Sequence, residues 1–97
     1  MEKKVKIPRL IALGRNNKAV AVVEAKGSVL LVSDMTPIAC AVWEGGTRRT
    51  LYRLEFPPKY RTPTTFRHWK LFARWEGHPE LASVKAFDAL PLAQVVS

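Results

Sequence analysis

The sequence predicts an α+β domain in which a small antiparallel β-meander of about four to five strands packs with one main amphipathic helix over about residues 64–76. Three observations carry this. Apolar, β-branched runs of strand length follow one another between Ala19 and Phe56, each separated from the next by turn-forming residues. Pro57-Pro58 and Thr62-Pro63 then end the strand-like region and introduce a segment whose apolar residues recur at helical spacing. A hydrophobic share of 47% in 97 residues suffices for one core without disulfides or metal, so residues 1–97 read as a single domain with a basic N-terminal arm over 1–18.

The arm is polar and basic around Leu10 to Leu13 and ends in Gly14-Arg15-Asn16-Asn17, the pattern of an extended arm or an edge strand. Four runs follow: Ala19 to Glu24, Ser28 to Val32, Pro37 to Trp43 and Thr50 to Phe56. Lys26-Gly27 suits a tight hairpin between the first two, and Gly45-Gly46 another between the last two. Ser33 to Pro37 supplies the turn between them, with its proline at the start of a strand, where a missing amide is tolerated. The fourth run alternates Leu51, Arg53 and Glu55 against Tyr52, Leu54 and Phe56, which places Arg53 and Glu55 on a wet face, cationic at its Arg48-Arg49 end.

The helix starts at a cap supplied by Thr64 or Thr65, runs to about Glu76 and is closed by Gly77 and Pro79. At 100° per residue, Arg67, Lys70 and Arg74 fall within about 60° of one another, while Phe66, Trp69, Phe72 and Ala73 share the opposite side. One face is core and the other a cationic ridge. Beyond it, Glu80 to Leu90 reads as a short helix begun at Pro79 or a strand through Val84 to Phe87, with a helical turn and then a strand preferred, and Leu92 to Val96 as an edge strand or an extended tail.

Charge is distributed in blocks. The formal net charge is +8; residues 1–18 and 48–74 are strongly basic, whereas 19–47 and 75–97 are mildly acidic. Between Arg48 and Arg74 stand half of the chain's Lys and Arg residues, with Glu55 as the sole acid, interleaved with Tyr52, Phe56, Tyr60, Phe66, Trp69 and Phe72. Cations alternating with aromatics are the composition that meets phosphates and bases, and arginine adds forked contacts and stacking. The partner expected is therefore a polyanion, with nucleic acid, DNA or RNA, ranked ahead of an acidic protein or an anionic membrane surface. The candidate contacts are Arg48, Arg49, Arg53, Arg61, Arg67, Lys70 and Arg74, with Lys3, Lys4, Lys6 and Arg9 of the arm adding reach. Tyr52, Phe56, Tyr60 and Trp75 are the candidate stacking platforms.

Other chemistries find little support. Cys40, the only cysteine, sits in an apolar run and reads as a small buried hydrophobe, which with the missing export signal points to the cytoplasm. No apolar run is long enough to span a membrane. His68 lies on the apolar flank of the helix and reads as a hydrogen-bonded structural residue; His78, beside Gly77 and Pro79, reads as a surface turn residue. One cysteine and two widely spaced histidines form no metal-ligand pattern, no cofactor motif occurs, and scattered carboxylates offer no acid–base pair. A non-enzyme without cofactor or metal is expected.

Three patches, taken in order, add a resemblance. They are Leu30 to Ala39 with its Thr36-Pro37-Ile38-Ala39 core, then Leu51-Tyr52-Arg53-Leu54, then Tyr60 to His68 with Thr64, Thr65, Arg67 and His68. The order resembles a family of small uncharacterised proteins and domains encoded by bacteriophages and plasmids, which carry an S-Y-x-T-P-I-A strand followed by a Y-S-x-T-T-S-R-H helix start. It covers roughly Gly27 to Arg74. Asp34 stands where that family tends to have an aromatic, Phe66 where it has serine and Lys70 where a polar amide is frequent. The resemblance implies the same α+β architecture and a phage or mobile-element origin.

Two functions compete on this basis. One is a small basic nucleic-acid-binding protein that contacts the phosphate backbone through an arginine-rich sheet and helix surface. The other is a phage-encoded interaction protein that binds and inhibits a host defence or nucleic-acid-processing complex. Homodimerisation through Leu10 to Leu13 or Leu92 to Val96 stays open, because either edge would leave backbone groups unpaired.

Overall fold

A computed structural model of the chain describes residues 9–12, 19–23 and 27–93, the first two stretches as backbone only. In chain order the elements are β1 (Arg9–Ala12), β2 (Ala19–Val23), β3 (Val29–Ser33), β4 (Thr36–Val42), β5 (Thr50–Arg53), α1 (Pro63–Trp75) and α2 (Val84–Asp88), with single 3₁₀ turns at Pro58–Tyr60 and Pro79–Leu81. The class is α+β, with an antiparallel sheet and one main helix. α1 packs against the β3-β4-β5 part, and β2 and then β1 continue the antiparallel ladder beyond β3.

Turn chemistry sets the register. Asp34 and Met35 both adopt left-handed backbone (φ 46° and 69°) and close a two-residue hairpin that pairs Ser33 with Thr36. The ladder then slips by one residue between Leu31 and Val32, so that Leu31 faces Ala39 while Val32 faces Pro37. Pro37 thus sits at a bulge, where its missing N–H costs little.

The sheet is apolar on both faces at its centre. Val29, Leu31, Ala39, Ala41 and Leu51 point one way and meet Phe66, Trp69, Phe72 and Ala73 of α1 together with Phe87 and Leu90. Leu30, Cys40, Val42 and Leu54 point the other way and pack with Val32, Tyr52 and Ala93. Unbroken apolar runs such as Val29 to Val32 and Ile38 to Val42 are the sequence form of a strand buried on both sides. This overturns the wet face expected for Arg53: it pairs with Ala39 on the helix side, is half-buried, and donates from Nε to the Leu90 carbonyl at 2.8 Å. Glu55, past the end of β5, is exposed.

α1 begins one residue earlier than expected because its cap is Thr62, whose Oγ1 accepts from the Thr65 amide at 3.2 Å, with Pro63 in the first turn, where no amide partner is needed. Neither Thr64 nor Thr65 caps it. At its far end Gly77 turns left-handed (φ 82°), the His78 amide bonds the Ala73 carbonyl at 2.8 Å and the Gly77 amide that of Arg74 at 3.0 Å. Together they close the helix with a Schellman motif. The strand expected through Val84 to Phe87 is instead α2, nucleated by the Ser83 side chain, which accepts from the Ala86 amide. Phe87 and Leu90, three residues apart, consequently reach the core together. The Phe87 ring centroid lies 5.1 Å from that of Trp69 and 5.5 Å from that of Phe66, and the Trp69 indole N–H donates to the carbonyls of Leu81 and Ser83. Finally, Pro91 to Ala93 runs parallel along the outer edge of β5, where the Arg53 amide bonds Pro91 and its carbonyl accepts from Ala93. Gln94 to Val96, read as part of an edge strand or tail, lies outside the described residues.

Candidate nucleic-acid interface

The basic segment from Arg48 to Arg74 folds into two populations of cations. Those of the loops and β5 are held by the acidic segment that follows them. Arg48 donates to the Gly77 carbonyl at 2.7 Å and pairs with Glu80 at 3.2 Å. Arg49 pairs with Glu76 at 2.7 Å, and its guanidinium lies 5.2 Å from the centroid of the Trp43 ring. Arg61 donates to both oxygens of Asp88 at 3.0 Å and stacks over Phe66. Arg53, as described, is anchored on Leu90. Four of the candidate contact residues therefore stitch the β4–β5 loop, β5 and the turn before α1 to the segment that follows α1.

This stitching is densest at the C-terminal end of α1. The Glu76 side chain is only 2% exposed, and His78 donates from Nε2 to the Arg49 carbonyl at 2.6 Å. His78 is thus buried, against the surface position expected, because Gly77 turns it inward under the β4–β5 loop. The Glu80 carboxylate is held below its ordinary range by a hydrogen bond it accepts from its own backbone amide, then by the charge of Arg48 and by hydrogen bonds from His78 and Arg48. His68 fills the buried structural place expected of it, with Nδ1 2.6 Å from Ser33 Oγ at the end of β3.

The second population is the ridge on α1. Arg67 and Arg74 are exposed and Lys70 half-buried, and none of their side chains makes an ion pair or hydrogen bond among the described residues. No acidic residue occurs between Thr62 and Trp75, so the ridge has no intrahelical partner either. Of the candidate platforms, Tyr52 is half-buried and donates its hydroxyl to Glu44, which pushes its pKa up to about 12, and Phe56 packs on Phe87. Tyr60 and Trp75 remain exposed. An open groove of about 450 Å³ beside β5 is lined by Arg53, Arg61, Phe56 and Phe87, but both its arginines are already engaged and Glu55 shares it. It carries less unmatched positive charge than the ridge.

Lys3, Lys4 and Lys6 lie outside the described residues, and Arg9 is placed in β1 by its backbone alone. The residues that sequence reasoning missed are Glu76, Glu80 and Asp88, the partners of Arg49, Arg48 and Arg61. Their one visible signal was the mildly acidic 75–97 block placed directly after the basic one. No protein-family model, no curated protein and no solved structure matches the chain. Among the described residues no helix is long and apolar enough to cross a membrane.

Proposed function

We propose that this is a small basic, non-enzymatic nucleic-acid-binding protein, encoded by a phage or mobile element and working in the host cytoplasm, that holds the phosphate backbone through Arg67, Lys70 and Arg74. The supporting observation is a cationic helix face with no acid partner among the described residues, in a protein whose other described arginines of the basic segment are engaged internally. Lys3, Lys4, Lys6 and Arg9 add contacts from the arm. Arg48 and Arg61 add to the local field, discounted by their carboxylates. Binding is set by charge and is largely independent of sequence.

The test is fluorescence anisotropy of labelled single-stranded DNA, double-stranded DNA and RNA from low to physiological salt. Three phosphate contacts give a slope of log affinity on log salt of about −3 on duplex, and contacts from all four arm cations deepen it to about −6. The combined Arg67→Glu, Lys70→Glu and Arg74→Glu variant should stay folded by circular dichroism and lose binding; retained affinity would show that another surface binds.

One observation favours a second reading: Trp75 is 43% exposed next to Arg74, and tryptophan with arginine is the residue pair that dominates protein–protein hot spots. Under it a phage-encoded protein binds and inhibits a host defence or nucleic-acid-processing complex. A specific host protein recovered after nuclease treatment, with purified DNA and RNA left unbound, would decide for it.

A further inference from the structure

The exposed aromatic rings differ in what already covers them. Trp43 is 47% exposed, but Arg49 lies over its ring, and a Cβ built on Gly27 would come within 3.0 Å of its Cδ1, so protein crowds it on both counts. Tyr60 is 38% exposed and has the Lys59 ammonium 5.2 Å from its ring centroid. Trp75 is different. Its one ring neighbour among the described residues is Phe72, at 6.2 Å and 33°, and no described cation lies over it. This steadies the indole while leaving 43% of the residue in water.

Its position matters as much as its exposure. Trp75 follows Arg74 directly and lies about 100° round the helix from it, so the indole stands on the flank between the ridge and Phe72, at the C-terminal end of α1. The ridge itself rises about 10 Å from Arg67 to Arg74. An indole beside cations has no base face to meet on a duplex, where bases are stacked on one another and only groove edges are presented. On a single strand every base offers a face, while the phosphates on either side reach the cations.

We propose that the ridge takes single-stranded nucleic acid in preference to duplex, with Trp75 stacking on an unpaired base whose neighbouring phosphates lie against Arg74, Lys70 and Arg67. This rests on the nucleic-acid reading above and names its substrate class. Cations alone would bind duplex, with its higher charge density, at least as well; the stacking ring supplies the discrimination.

The experiment compares the full chain with Trp75→Ala, Trp75→Phe and the triple ridge reversal, using labelled oligo-dT and a duplex of equal length. Trp75→Ala should weaken oligo-dT binding about tenfold and leave duplex binding within about twofold, while Trp75→Phe keeps most of the affinity. Oligo-dT should quench the tryptophan emission of the native protein, and Trp75→Phe should abolish that quenching while still binding. If the ridge reversal abolishes binding but Trp75→Ala changes neither polymer, or both equally, the single-strand inference falls and the nucleic-acid reading stands. If the native protein binds neither polymer, both fall.

Discussion

Arg49→Ala is expected to lower folding stability by about 3 kcal/mol while leaving nucleic-acid affinity unchanged, the reverse of what a phosphate-contacting arginine would do. The magnitude comes from what the substitution strands. The guanidinium sits 2.7 Å from Glu76 Oε2; the Glu76 side chain is 2% exposed and that of Arg49 22%. Removing one partner of a buried pair costs about 3 to 5 kcal/mol, because the remaining charge stays desolvated. The lower end applies here, since Arg49 Nε is buried without a hydrogen-bond partner among the described residues and that penalty disappears with the side chain. In a domain of this size about 3 kcal/mol lowers Tm by roughly 12 to 24 °C. Thermal and urea unfolding by circular dichroism read the first quantity, and anisotropy well below Tm reads the second. The double variant Arg49→Met with Glu76→Leu should recover most of the loss, because neither charge is then stranded. A Tm drop below about 4 °C, or a loss of affinity as large as that of the ridge reversal, would refute the division of the arginines into stitches and contacts.

Two further outcomes follow from local geometry. Met35 holds a left-handed backbone at φ 69° while 92% exposed, so Met35→Gly removes backbone strain and buries nothing less; it should stabilise by about 1 kcal/mol and raise Tm by roughly 4 to 8 °C in the same melts. Tyr52, hydrogen-bonded to Glu44, ionises near 12 rather than its ordinary 10, so this link supports the fold fully below about pH 10 and is lost as pH climbs through 12. Ultraviolet titration of Tyr60→Phe should show the remaining phenol ionising close to 12, and Glu44→Gln should bring it back towards its ordinary value.

The helix was legible because its signals are local: Pro63 in the first turn, apolar residues three and four apart, and Gly77 after the last turn. The strand runs were legible too, since each is bounded by its own turn residues. The cap slipped to Thr62 because three threonines around one proline offer the same hydroxyl, and only the backbone decides which of them is extended. The span from Val84 to Phe87 misled because a five-residue helix is too short for periodicity to tell it from a strand. In the candidate site, the ridge followed from the helical wheel, whereas the fate of Arg48, Arg49, Arg53 and Arg61 did not. Their partners lie 27 to 37 residues away in sequence, at distances that no local pattern encodes.

What remains unmatched is informative because it is energetically unhelpful to the fold. Arg67, Lys70 and Arg74 stand three and four residues apart on one face, so each neighbouring pair repels by a few tenths of a kcal/mol instead of gaining as much from an acid. Arg74, in the last turn, is favoured by the helix dipole, but Arg67 sits closer to the positive N-terminal end, and α1 has no acid in its first turn to offset it. The same chain uses Glu76, Glu80 and Asp88 to neutralise Arg49, Arg48 and Arg61. Yet among the described residues no acid pairs with the ridge. Folding gains nothing from that arrangement, whereas a polyanion lying along α1 would turn each repulsion into an attraction, and this asymmetry is the physical ground for reading the ridge as a contact surface.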